Sequence, residues 1–229
     1  MDNIFMPFFK KHEELIAAAD GAFTHVKNEY PQHVKCEVKC SDCCYALFDL
    51  TFIEALYVNY FFNKKFDGAE RGKLIEKANK ADRQIYKIKN KAYKEFEAGK
   101  SEDEILLEMA SERIRCPLLN DENLCSLYEH RPITCRFYGI PTSIGGKGHT
   151  CGKSGFVEGK QYPTVNLDII HKRLYELSDK LVKKIKSKHI KMAELLVPLS
   201  MSLLTVYDEE YLGIGEKEKS DNSKEDENG

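Results

Sequence analysis

The stretch CEVKCSDCC at residues 36–44 places four thiols within nine residues, two of them adjacent. Cys40-x-x-Cys43 is the spacing that lets two thiolates grip one metal ion from a tight turn. Cys36 can join from one turn earlier. A second segment supplies Cys116, Cys125, Cys135 and Cys151. Four and four suit two tetrahedral sites or one polynuclear cluster. The neighbours Cys43 and Cys44 are poor disulfide partners. Consecutive Cα atoms lie about 3.8 Å apart, below the usual disulfide span of about 4.4–6.8 Å. Successive side chains also diverge, so the pair serves two adjacent metal atoms better than one.

Clustered cysteines in a chain of this size point to metal or redox chemistry rather than to disulfide staples. Free cysteines can also be small buried hydrophobes, but polar neighbours such as Lys39, Ser41 and Asp42 speak against that reading here. Thiolates gathered in one place need positive partners. Arg131 and Arg136 flank Cys135, and Lys35 and Lys39 flank the first cluster. A catalytic thiol paired with His130 or His149 is singled out by no spacing, and His149 reads as an exposed loop histidine. Tyr128 and Tyr138 read as packing around the cysteines.

The elements that must position these thiols are mainly helical. Residues 4–28 carry an apolar stripe of helical period. Thr51-Phe52-Ile53-Glu54 is a capping box that opens a helix to about residue 64, and Ser101-x-x-Glu104 opens another over 102–114. Residues 70–98 repeat Leu74, Ala78, Ala81, Ile85, Ile88, Ala92 and Phe96 at coiled-coil-like spacing. A small β-hairpin is expected at 116–128, around the polar turn Asn120–Asn123. Arg131-Pro132 starts a short helix ending near Gly139. Residues 140–165 read as loop, 166–188 as a long helix, and 190–206 as an apolar helix bent at Pro198. The fold class expected is a mainly α helical hairpin or bundle, with the seams at 74–96 and 167–185 bringing the two cysteine segments together. Residues 1–214 form one domain, and the charged tail 215–229 is expected to be disordered.

The chain has 229 residues, 42% hydrophobic and 31% charged, and a net charge of −2, so no global basic field suggests nucleic acid or a membrane surface. The longest apolar run, at 195–207, is too short to span a bilayer. The first residues have an acid at position 2 and no small-residue cleavage site, so a cytoplasmic location is expected. GHTCGKSG at 148–155 lacks the first glycine and the leading strand of a phosphate loop and is set aside. The basic run 183–191 reads as a solvated helix face, with an RNA or acidic-protein contact as the minority reading.

CSDCC at 40–44, CPLL at 116–119, CSLYEHRPITCRFY at 125–138 and then Cys151 together resemble the YkgJ-type cysteine-cluster family, named for its CxxCxxCC motif. The resemblance covers 36–151, about half the chain. It implies a zinc- or iron-chelating domain with Cys36, Cys40, Cys43, Cys44, Cys116, Cys125, Cys135 and Cys151 as metal ligands. Two positions depart from the pattern. Three residues separate Cys36 from Cys40 where two are usual, and Ser41 stands where glycine is common. Flagellin lysine methylase is a relative with the same kind of cluster. Two functions are therefore expected as alternatives: a zinc or iron–sulfur binding module with a possible protein partner, or an iron–sulfur enzyme of protein modification. Both metals accept thiolates, so spacing does not choose between them.

Overall fold

The structure is a computed structural model and describes residues 2–215. The tail expected to be disordered lies outside the described residues, apart from Gly215. In chain order the elements are helix α1 (Asp2–Glu29), strand β1 (Asp49–Thr51), α2 (Phe52–Lys65), α3 (Gly68–Glu97), α4 (Glu102–Ser111), α5 (Ile133–Phe137), β2 (Thr142–Ile144), β3 (Lys147–His149), β4 (Val165–Asn166), α6 (Leu167–Lys184), β5 (Leu196–Pro198) and α7 (Leu199–Leu204). The mainly α class holds. Among the described residues, no helix is long and apolar enough to cross a membrane.

Helix α2 is the central post. Nine of its fourteen residues are buried, from Phe52 to Phe62. A helix apolar on nearly every side must be surrounded, and α1, α6 and α7 pack around this one. Its start is set by Glu54, whose carboxylate accepts from the Thr51 N–H (3.3 Å) and the Thr51 hydroxyl (3.1 Å). Helix α4 starts the same way, with Ser101 and Glu104 capping each other. Such caps contribute about 1 kcal/mol each.

The seams expected to pair do not form one hairpin. Helix α3 packs on α7 and α4, and α6 packs on α1 and α2. The seam of α3 also divides. Leu74 and Ala78 enter the main core, whereas Ala81, Ile85 and partly buried Ile88 join a small cluster with Leu47 and Ile114. Those two residues flank the two cysteine segments, so α3 braces them from behind. Lys89 ties the same helix to β1 through Asp49 (2.6 Å). Beyond Ile88 the periodicity continues into an exposed Phe96.

Two further expectations are corrected. A hairpin lies at 142–149, within the segment read as loop. Thr142 pairs with His149 and Ile144 with Lys147, and both turn residues, Gly145 and Gly146, have positive φ (56° and 76°). A two-residue turn with both φ positive is the geometry for which Gly-Gly is suited. Residues 116–128 do pair antiparallel about the expected turn, but through a single bridge, Leu119 to Cys125, flanked by the bonds from the Asn120 N–H to the Leu124 carbonyl (2.9 Å) and from the Ser126 N–H to the Leu118 carbonyl (2.7 Å). The Asn120 side chain organises that loop by accepting from the Glu122 and Leu124 N–H groups (3.0 and 2.8 Å). The helix expected over 190–206 is broken into a 3₁₀ turn (Ile190–Glu194), β5 and α7. Pro198 forces extended backbone before itself and starts α7 rather than bending a longer helix. The freed strand pairs with β1, Leu50 opposite Val197.

Candidate metal centre

All eight cysteines are free thiols, each partly exposed. Their two segments are joined by backbone. The Cys116 N–H donates to the Cys44 carbonyl (2.7 Å), the Ile114 N–H donates to the Tyr45 carbonyl (3.1 Å), and Ala46 bridges Arg113. This short antiparallel contact sits directly behind the 3₁₀ turn Asp42–Tyr45, which carries Cys43 and Cys44. In front of it lies a chamber of about 470 Å³ faced by seven of the cysteines, all except Cys151. A second, much smaller cavity is faced by Cys36, Cys40, Cys43 and Cys151. Cys43 faces both.

The thiols thus fall into an inner and an outer group. Inner Cys44, Cys116 and Cys135 are raised by thiols of the inner group, and outer Cys36 and Cys151 by thiols of the outer one. Burial pushes the Cys116 thiol up to about 12 and the Cys36 thiol to about 11, with neighbouring thiols adding to the rise. Burial likewise raises Cys125, and raises Cys135 well above its ordinary value. Inner thiols keep some accessible surface because they face the chamber, although protein covers them from behind. The vicinal pair behaves oppositely. Cys43 and Cys44 sulfurs are 4.0 Å apart. The Cys44 thiol stabilises the Cys43 thiolate and brings it to about 7, and that charge then holds Cys44 up.

Cations are arranged differently from the sequence expectation. Arg131 lines the chamber, stacks its guanidinium on Tyr128 (4.1 Å), and leaves a buried Nε without a hydrogen-bond partner. Its charge favours the thiolates of Cys36, Cys43, Cys125 and Cys135. Arg136 was expected to serve the cluster, but its Nη1 pairs with Asp20 (2.7 Å) and its other donors bond the Glu129 and Arg131 carbonyls. It holds the loop rather than the sulfurs. Lys39 borders the chamber and Lys35 the small cavity.

Three interactions that position the thiols went unread in the sequence. Glu54, 3% exposed, accepts from the Ile133 N–H with Oε1 (3.1 Å) and so fixes the start of α5, two residues before Cys135. Burial raises its pKa, and these backbone and hydroxyl donors partly offset the rise. Tyr57, one turn along α2, bonds His130 Nδ1 (2.9 Å) and Glu13 (3.2 Å). His130 is therefore occupied by Tyr57 and by stacking on Phe61 (3.6 Å between centroids, 7° between planes). Asp42 accepts from Cys151 (3.6 Å) and pairs with Arg113 (2.8 Å) and Lys153 (3.6 Å). The capping box hid the first, because one motif already accounted for Glu54. Nothing local signals the other two. His149 lies exposed on β3.

The donor chemistry fits a thiophilic metal: eight reduced thiols, no disulfide, and a cation with an unused donor beside them. The side chains are not closed around an ion. Among the described residues, no three His, Cys, Asp or Glu side chains stand together at metal-holding geometry. A helical scaffold that gathers eight thiols around two adjoining cavities defines a cysteine-cluster protein. Residues 35–152 match the family described as "Putative zinc- or iron-chelating domain", named CxxCxxCC, and the chain belongs to that family. No curated protein matches the chain. No solved structure matches it either.

Proposed function

We propose that the protein binds zinc or an iron–sulfur cluster through Cys36, Cys40, Cys43, Cys44, Cys116, Cys125, Cys135 and Cys151. The gathering of eight free thiols from two distant segments around adjoining cavities carries this reading. When bound, the metal supplies a cross-link between the segments, and binding free energy becomes folding free energy. The chain's own part is to deprotonate and orient the donors. Arg131 offsets thiolate charge, and Glu54 fixes the loop that bears Cys135. Cys43 and Cys44 answer to different groups, Cys44 inward and Cys43 to both. Residues 1–214 act as one unit around this centre, in the cytoplasm, with a protein partner.

A second reading is an iron–sulfur enzyme of protein modification, like flagellin lysine methylase, a relative of the family that the sequence resembles. The chamber favours it, since about 470 Å³ falls within the roughly 300–1,000 Å³ of small-molecule sites. Metal and acid-labile sulfide analysis of protein purified without oxygen, with a visible spectrum, separates the two. Zinc without sulfide and a colourless protein support the module. Iron with sulfide and visible absorbance support the enzyme. Absence of both metals contradicts the shared premise.

A further inference from the structure

The outer and inner thiols are held by different means. Inner Cys44 and Cys116 are locked by the 2.7 Å backbone bond between them, and Cys135 follows the α5 start that buried Glu54 fixes. These thiols face the chamber, but displacing them requires breaking that backbone bond or the buried cap. The outer thiols hang on turns. Cys40 follows a turn closed by its own N–H on the Glu37 carbonyl (2.9 Å), with Lys39 at φ 70° and Val38 85% exposed at the tip. Cys151 lies beyond the β2–β3 hairpin, in a segment without regular elements. Its side-chain bond to the first cysteine segment is to Asp42, which is held by side chains of Arg113 and Lys153 that are 43% and 63% exposed, and the next firm anchor is four residues on, where the Gly155 N–H donates to the His33 carbonyl (2.8 Å). Exposed pairs of this kind add little stability and are screened by salt. Elements with few buried contacts open first and independently of the core.

We infer that Cys36, Cys40 and Cys151, completed by Cys43, form an exchangeable metal site, while Cys44, Cys116, Cys125 and Cys135 form a retained one. The inference rests on the metal-binding reading above and adds a function to it: metal enters and leaves through the outer site while the inner one keeps the fold. The acceptor class is a thiol-bearing or chelating molecule. In each exchange step one sulfur–metal bond breaks as the acceptor's thiolate forms another. The proton lost by the acceptor thiol goes to the departing cysteine, and no electrons are transferred.

The test uses full-length protein loaded with zinc(II) and a chromophoric chelator that reports released zinc. Two release phases of equal amplitude are expected, with rates at least tenfold apart. Cys151→Ser should abolish the fast phase and leave the slow one. In the unmodified chain, timed alkylation read by mass spectrometry should label Cys36, Cys40 and Cys151 during the fast phase and Cys116, Cys125 and Cys135 only afterwards, a readout that does not depend on how the variants fold. A single phase, or all thiols labelled together, would overturn the inference while leaving metal binding intact. A chain that takes up no zinc and no iron overturns the underlying reading as well.

Discussion

The inner and outer halves of the cysteine chamber use the same donor atom in opposite mechanical settings. The inner thiols ride on a backbone contact, a buried carboxylate and a short helix. The outer thiols ride on an exposed turn and an irregular segment steadied by surface charges. The comparison teaches that ligand identity does not set the strength of a site by itself. What lies behind the ligand decides how much structure must move before the sulfur can leave. Cys43, facing both cavities, is where the two settings meet.

The largest effect is expected at the vicinal pair. Cys44→Ser should remove the inner metal alone, and Cys43→Ser the outer metal alone. Loss of the inner metal should lower the melting temperature by roughly 10 °C, since each kcal/mol corresponds to about 2–4 °C at this size. An equal drop in melting temperature in both variants would erase the distinction between the halves. Glu54→Ala comes next. It strips the Thr51 cap and leaves the buried Ile133 N–H unpaired, costing about 2–4 kcal/mol together. The inner site should release metal faster, with the outer phase unchanged. Release curves that superimpose on those of the unmodified protein would show that Glu54 serves α2 only.

Smaller is Tyr57→Phe, which removes one hydroxyl from His130 and Glu13. About 1 kcal/mol of stability should go, with full metal content, because Phe keeps the ring packing. Metal loss in this variant would place the His130 contact inside the site rather than beside it. The smallest effect is a pH dependence of the metal-free protein. Burial raises two of its thiols on folding, Cys36 from 9.0 to about 11 and Cys116 to about 12. The folded state therefore holds protons that the unfolded state gives up. This stability is fully present below pH 9 and lost as pH rises through 11 and beyond. A thermal melt of metal-free protein that holds steady from pH 8 to 11 would contradict the buried setting of these thiols.

Much of the scaffold was legible because it rests on local signals. Thr51/Glu54 and Ser101/Glu104 announce helix starts within four residues, and the apolar stripes of α1, α3 and α6 announce faces. The two cysteine segments announce themselves by residue type. What was not legible depends on partners far along the chain. Strand β5 exists because β1 lies beside it, and β-branched or proline-bearing residues at 196–198 look equally like a bent helix until that partner is known. The Gly145-Gly146 turn was readable, but the surrounding glycines and prolines made the segment look like undivided loop. Arg136 sits beside Cys135 in sequence, yet Asp20 on α1 claims it, across a distance that adjacency does not reveal. The split between inner and outer thiols is of the same kind. Cys43 and Cys44 could be read as divergent from their spacing, but which partners each would meet depended on the fold.

The central claim is that these eight thiols hold metal in the native protein. Its most direct test counts alkylatable thiols in full-length protein purified without oxygen, under native conditions, before and after chelation, with intact-mass readout. The account predicts few or no additions before metal removal and eight afterwards, with metal released in proportion to the thiols uncovered. Eight thiols that alkylate freely in a folded, metal-free protein as purified would contradict it.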